Sequence, residues 1–290
     1  MKLCRYGSEG QENPGIIDAT GALRSLSGHL DNLTAENITP EGLAKLRSID
    51  VAGLPRVEGA VRYGRPFTGT RQFIAIGLNY ADHAAESNMA IPLEPVVFTK
   101  AVSCLQGPND DVMIPRGSIK TDWEVELGVV IGQRTSYVDD REALDHVAGF
   151  CVVHDVSERE YQLERGGTWD KGKGCATFGP IGPWLVTRDE IADPQKLDLW
   201  LEVNGERMQG GNTRTMIFGV STLVSYLSRF MTLLPGDIIT TGTPPGVGMG
   251  KKPPRFLLAG DRIRLGIENL GVQEQRVIAW HANSAGGALT

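Results

Sequence analysis

At 290 residues and 41% hydrophobic content, the chain can build one large domain or two moderate ones around a sizeable core. A net charge of −6 and a pI near 5.5, with no Lys/Arg-rich run, argue against nucleic acid or an anionic membrane as partner and favour small-molecule chemistry. Cys4, Cys104, Cys151 and Cys175 are widely spaced without a CxxC pair, so neither a zinc motif nor a disulfide framework is expected. Reduced thiols, a polar N-terminus and the lack of any run of roughly 18 apolar residues predict a cytoplasmic protein.

Residues 1–65 read as a small N-terminal α+β unit. Within it, Gly15 to Leu26 carries two short apolar runs around Asp18-Ala-Thr-Gly21, the pattern of a hairpin. Thr39-Pro-Glu-Gly-Leu-Ala-Lys-Leu46 then offers an N-cap Thr, a Pro at the first helical position and apolar residues at helical spacing. Pro55 and Gly59 mark a linker, and residues 66–282 form the main domain, followed by a flexible tail over 283–290. The main domain opens with a strand over 73–77 and a helical segment over 80–86, before a passage containing Pro92, Pro95 and Pro108. Helices are expected over 139–144, 157–165 and 219–230, among short β runs such as 199–203, 237–241 and 261–265. Strands do not alternate with long helices, so the fold class is α+β, dominated by β, rather than a doubly wound sheet.

Two segments carry chemistry. Thr121-Asp-Trp-Glu-Val-Glu-Leu-Gly-Val-Val-Ile131 places Glu124 and Glu126 on one face of a strand and Trp123, Val125 and Leu127 on the other. Phe150-Cys-Val-Val-His154 ends on Asp155, a third carboxylate. Brought together, such acids repel unless a cation relieves them, and an all-oxygen donor set suits Mg2+, Mn2+ or Ca2+ better than zinc. The bland alternative is a solvated edge face. In Gly77-Leu-Asn-Tyr-Ala-Asp-His-Ala-Ala-Glu86, His83 and Glu86 lie three apart and share a helical face, so the carboxylate can orient an imidazole that draws a proton from water. A surface pair explains the same spacing when taken alone. The run Gly242-Thr-Pro-Pro-Gly-Val-Gly-Met-Gly-Lys-Lys252 lacks the glycine spacing and the Ser/Thr of a nucleotide-binding loop.

The motifs GLNYADHAAE, LEP at 93–95, FTK ending at Lys100, WEVELGVVIG and VVHDVSERE occur in an order that resembles the fumarylacetoacetate hydrolase family. The resemblance continues through Lys171-Gly-Lys173, Phe178-Gly-Pro-Ile-Gly-Pro183, Gln209-Gly-Gly-Asn-Thr213 and Thr241-Gly-Thr-Pro-Pro-Gly-Val-Gly248, covering about residues 71–281. It implies a mixed β roll with peripheral helices, a homodimer or homotetramer, and Mg2+ or Mn2+ as cofactor. It further implies that Glu124, Glu126 and Asp155 are metal ligands, that His83 and Glu86 form a catalytic dyad on a mobile lid, and that Lys173 is the active-site lysine. Gln162 and Thr243 match substrate or oxyanion contacts. The Gly-rich run is, in such relatives, a turn offering backbone N–H groups to a substrate carboxylate. Arg159, Tyr161, the lid, the Pro-rich passage and the N-terminal unit are the candidates for reading the substrate tail. One departure stands out: Lys173-Gly-Cys-Ala-Thr-Phe178 replaces the Lys-Ser-Phe-Asp run of many relatives, which alters the pocket wall at Cys175, read as a packed thiol rather than a nucleophile.

The implied activity is hydrolytic C–C cleavage of a 2,4-diketo acid to pyruvate, with the cation holding the C1 carboxylate and C2 oxygen and stabilising the pyruvate fragment as an enolate. The opening MKLCRYG and the hairpin after it are similar to members acting on 2,4-diketo-3-deoxy sugar acids of the L-rhamnonate or L-fuconate type, which give pyruvate and lactate. Acylpyruvate hydrolysis, oxaloacetate decarboxylation and isomerisation of 2-hydroxyhepta-2,4-diene-1,7-dioate use related chemistry. A metal-dependent binding protein on the same scaffold is the non-enzymatic alternative.

Overall fold

The structure, a computed structural model, describes residues 1–82 and 90–281. Its N-terminal strands are β1 (Lys2–Tyr6), β2 (Asn13–Ile17) and β3 (Leu23–Ser25), followed by helix α1 (Pro40–Arg47). Then come β4 (Phe73–Gly77), β5 (Val96–Lys100), β6 (Leu105–Gln106), β7 (Val112–Met113), β8 (Thr121–Asp122), β9 (Val125–Ile131) and β10 (Val147–His154). After β11 (Ser157–Glu158), two short helices, α2 (Arg159–Leu163) and α3 (Asp170–Lys173), lead into β12 (Gly179–Thr187). The remainder is β13 (Asp198–Val203), β14 (Glu206–Asn212), helix α4 (Val220–Ser228), β15 (Ile238–Thr240), β16 (Arg262–Ile267) and β17 (Gly271–Ile278).

A ten-stranded sheet runs β3-β2-β1-β12-β10-β9-β15-β4-β5, with β6 also on β12; a five-stranded sheet runs β14-β13-β16-β17-β7. Apolar side chains of β9, β13, β16 and α4, among them Leu127, Leu201, Leu265 and Leu223, form one core between the sheets. The second core joins Leu3, Ile16, Leu33 and Leu43 to Phe73, Cys151 and Phe178, on the other side of the large sheet. Strands β9 and β10 are therefore buried along their whole length, which explains their continuous apolar sequences. The β-dominated α+β architecture is the one expected.

Residues 1–65 do not close a core of their own. β1 pairs antiparallel with β12, Lys2 opposite Val186 and Leu3 opposite Leu185, so sheet and core both cross the 65/66 boundary. The hairpin is β2 on β3. Thr39 caps α1 by accepting from the Gly42 amide at 3.1 Å, with Leu43 and Leu46 turned inward.

Residues 139–144 do not form the expected helix: a turn leads into a single 3-10 turn over Ala143–His146. The segment has no side-chain cap and buries only Ala143, so no apolar stripe holds a longer helix against the core. The helix expected over 157–165 is shorter, because Ser157 and Glu158 pair with β8; Glu158 then caps α2 by accepting from the Tyr161 amide at 2.6 Å. Helix α3 had no counterpart among the predicted elements. The tail over 283–290 lies outside the described residues, as does most of the segment over 80–86.

Candidate active site

Antiparallel pairing brings the three acids together. Glu126 on β9 stands opposite Val153 on β10, and Val125 opposite His154. The register carries one step past the strand ends, where the Asp155 amide donates to the Glu124 carbonyl at 2.9 Å. Glu124 and Glu126 point to one side as the strand period requires, while Trp123, Val125 and Leu127 enter the core. Ligand oxygens of Glu124, Glu126 and Asp155 all lie within 4.8 Å of one another, and all three residues are buried.

Their electrostatic environments differ. Glu124 receives Arg159 Nη2 and Lys173 Nζ, each at 2.6 Å. Burial raises its pKa, but these two cations outweigh that and hold its carboxyl well below the usual range. Asp155 receives Lys173 Nζ on Oδ2 at 2.6 Å, while its Oδ1 lies 2.7 Å from Lys100 Nζ at an angle that makes no hydrogen bond. Glu126 has no ion-pair partner among the described residues. Thr240 Oγ1 and the Gly242 amide donate to its Oε2 at 2.5 and 2.8 Å. Burial, and then the Asp155 and Glu124 charges, push its carboxyl well above the ordinary value. For Lys173, burial lowers the pKa, but Asp155 and Glu124 reverse this and keep the ammonium protonated.

The acids line the inner part of a cavity of about 650 Å3, whose wall also includes Arg159, Gln162, Lys173 and Thr243. Arg159 is heavily engaged: Nε reaches Asp122 at 2.8 Å and Nη1 reaches Gln162 Oε1 at 2.9 Å. Gln162 thereby turns its amide NH2 into the donor left available to the cavity. Thr243 Oγ1 donates to the Val125 carbonyl and accepts from Gln209 Nε2, at 2.9 and 2.8 Å, so its hydroxyl ties the loop to β9. Tyr161 does not line the cavity; its hydroxyl donates to the Arg116 carbonyl at 3.3 Å and its ring packs under Arg165. His83 and Glu86 lie outside the described residues. Asn79, which leads into that segment, is buried and clamped by Phe218 and Thr241 backbone carbonyls at 3.0 and 2.8 Å.

Several residues escaped the sequence reading. Phe98 and Trp169 pack edge to face, and a Cβ on Gly77 would stand 2.4 Å from the Trp169 ring, so this glycine lets the indole close the wall. Lys100 was legible only as part of a motif, yet it ties Asp155 to the Lys173 carbonyl. Asp122 accepts from the Gly248 and Met249 amides at 2.7 and 3.0 Å and from Arg159, so it welds the Gly-rich loop to the acids. The expectation that this loop's amides face a substrate carboxylate is corrected for Gly242, Gly248 and Met249. Buried Glu126 and Asp122 need those donors themselves. Cys175 is partly buried, and burial pushes its thiol up to about 11, the state of a packed rather than nucleophilic cysteine.

The donor set fits a hard divalent cation. It is all oxygen and buried, and among the described residues it includes Asp155 Oδ1, a buried acceptor without a hydrogen bond, and Glu126, a carboxylate in no ion pair. Among the described residues, no helix is long and apolar enough to cross a membrane.

Known proteins share the sequence and fold of this chain. A protein of Burkholderia cenocepacia strain HI2424 named "Putative hydrolase" is 65% identical over 95% of this chain and 98% of its own length. The fumarylacetoacetate hydrolase of psychrophilic Exiguobacterium antarcticum superimposes with a TM-score of 0.85 at 35% identity, covering 97% of this chain and 100% of that one. Maleylpyruvate hydrolase from Sphingobium sp. SYK-6, solved with manganese(II) and pyruvate, gives 0.80 at 28% identity with the same coverage. Residues 72–278 match the family described as fumarylacetoacetate (FAA) hydrolase C-terminal. The strand-borne acid triad, the β-dominated fold and these matches together mean that the chain belongs to the fumarylacetoacetate hydrolase family.

Proposed function

We propose that the protein is a hydrolase dependent on Mg2+ or Mn2+ that cleaves the C–C bond of a 2,4-diketo acid, releasing pyruvate and a second carboxylic acid. The observation that carries this is the meeting of three buried carboxylates with the Lys173 ammonium at the inner end of one cavity. Glu124, Glu126 and Asp155 would hold the cation, which when bound supplies Lewis-acid charge to the C1 carboxylate and C2 oxygen of the substrate.

The remaining work falls to side chains. Lys173, kept protonated by its two carboxylates, and the free amide of Gln162 donate to the C4 oxygen as charge develops there. His83, oriented by Glu86, takes the proton from the water that attacks C4. The C3–C4 pair then passes to C3 of the pyruvyl fragment, which leaves and is protonated. Arg159 contributes by fixing Glu124 and Gln162 rather than by reaching far into the open space. Within this reading the protein acts in the cytoplasm as a homodimer or homotetramer, a state that light scattering would establish.

The finer sugar-acid assignment, a 2,4-diketo-3-deoxy-L-rhamnonate or L-fuconate giving pyruvate and lactate, differs from acylpyruvate hydrolysis only in the tail. The test is pyruvate release from acylpyruvates and from 2,4-diketo-3-deoxy sugar acids with Mg2+ or Mn2+ present. Chelation by EDTA should abolish turnover and added metal should restore it; chelator-insensitive activity would sink the mechanism. His83→Ala should lower the rate by roughly 100-fold or more. Ligand binding with no turnover of any substrate would make the protein a binding module.

A further inference from the structure

We propose that His154, Gln275 and Gln273 are positioning residues for the metal centre: a one-way chain of buried hydrogen bonds through which the five-stranded sheet sets the place of Asp155. The inference deepens the metal-dependent reading given above and rests on it. Strand β10 ends on His154, one residue before Asp155. By the strand period His154 shares the side of Phe150 and Val152, in the core between the sheets, whereas Asp155 joins the other acids. Gln273 and Gln275 alternate on β17 and enter the same core, both fully buried, as is His154. Buried amides and an imidazole cost free energy that an apolar side chain would not, so their hydrogen bonds must serve the fold or the site.

Main-chain carbonyls only accept, and that fixes every direction along the chain. Gln273 Nε2 donates to the Val152 and Gly182 carbonyls at 2.9 and 3.1 Å, which leaves Gln273 Oε1 to accept. Gln275 Nε2 donates to that oxygen at 2.8 Å and to the Pro108 carbonyl at 2.5 Å. Gln275 Oε1 then stands 3.0 Å from His154 Nδ1, which must carry the proton and donate it. Flipping either amide would set oxygen against oxygen, so the ring of His154 is held in one orientation. The chain is anchored on Val152 and Gly182, which face each other just past the point where β10 and β12 shift register.

The same sheet grips the neighbouring strand. Gln209 of β14 is buried; its Oε1 accepts from the Val125 amide at 3.0 Å and its Nε2 donates to the Pro244 carbonyl at 2.8 Å. Val125 and His154 lie opposite each other in the β9–β10 ladder. One cross-strand pair is therefore held from the second sheet on both strands. The acids flank that pair, Glu124 and Glu126 beside Val125 and Asp155 beside His154. Fixing the pair fixes the spacing of the backbone from which all three carboxylates reach a cation, the task that outer partners perform for metal ligands.

The test reads Mn2+ binding rather than turnover, by calorimetry and by the electron paramagnetic resonance spectrum of the bound ion. It compares the wild type with His154→Leu, His154→Asn, Gln275→Met and the double form His154→Leu/Gln275→Met. Leucine and methionine fill space without the hydrogen bonds, whereas the asparagine Nδ2 takes the place of Nδ1 and still donates to Gln275 Oε1. His154→Leu and Gln275→Met should each raise the Kd about tenfold and broaden the spectrum, while His154→Asn should stay within about twofold of the wild type. The double form should bind no worse than the weaker single one, because a chain broken twice loses what it loses when broken once. Gln275→Met removes the same bond from the other end, so it decides the matter with His154→Asn if the leucine form does not fold. Chemical denaturation is measured alongside: variants that lose stability yet keep the wild-type Kd and spectrum would overturn the proposal, as would additive losses in the double form or an asparagine form as weak as the leucine one. Mn2+ binding unaffected by Asp155→Asn would remove the metal reading and this inference with it. Chain-dependent Mn2+ binding without pyruvate release from any 2,4-diketo acid would overturn the hydrolase reading alone and leave the positioning role standing.

Discussion

Glu126 is the acid whose chemistry depends most on what joins it. Burial, Asp155 and Glu124 all raise its pKa, whereas Arg159 and Lys173 more than offset burial at Glu124. The signs are opposite. In the metal-free protein, the contribution of Glu126 to stability is greatest below the ordinary carboxyl range and is lost as pH rises through its elevated folded value. That of Glu124 is present above the ordinary range and is lost as pH falls through its depressed one. A cation requires both as anions, so Mn2+ binding should release a proton from Glu126 and tighten with rising pH. Calorimetry in buffers of differing ionisation enthalpy measures this directly, and pH-independent binding without proton release would refute it. At Lys173, replacement by Met should lower turnover by on the order of 100-fold through loss of the donor at the developing charge. The same change leaves part of Glu124 and Asp155 unpaired, so metal affinity must be measured alongside the rate. The acids were legible because a strand's period is fixed and Glu-Val-Glu obeys it. Their differing ionisation was not, since Arg159 and Lys173 reach Glu124 from 35 and 49 residues away in the chain and from separate short helices.

At the scale of elements, the loop after β15 holds the site's shape. Gly242 has φ +92°, and a Cβ there would stand 2.8 Å from the Asn79 Cβ. Its amide must also reach Glu126. Gly242→Ala should therefore destabilise the fold by about 1–3 kcal/mol and weaken metal binding with it. Chemical denaturation and metal titration together check this; wild-type values in both would show that the loop accommodates a side chain. The sequence marked this run as Gly-rich and ruled out nucleotide binding, but it did not show that Glu126 and Asp122 engage its amides. Helix prediction succeeded where caps and apolar stripe coincide, as at α1 with Thr39, Leu43 and Leu46. It failed over 139–144, where acidic and polar residues gave helical composition but only Ala143 is buried.

For the whole molecule, the strongest consequence of the topology is that the N-terminal 65 residues complete the large sheet. Removing them would strip β1 from β12 and expose Phe73, Cys151 and Phe178 on the core side that Leu3, Ile16 and Leu33 now cover. A chain starting at residue 66 should aggregate or lose cooperative unfolding, as circular dichroism melts would show; a soluble, cooperatively folding fragment would establish an independent domain. The amino-acid sequence by itself determined the β-dominated class, the alternation that sends Glu124 and Glu126 to one side, and the ordered motifs of the family, because local periodicity and residue chemistry travel with the chain. Only the tertiary structure decided that Lys100, Asp122, Arg159 and Lys173 converge on those acids, that Tyr161 turns away, and that the N-terminal strands join the central sheet. Those outcomes depend on pairing and packing between segments far apart in the chain, where the free energy of burial and charge compensation belongs to contacts that no local pattern encodes.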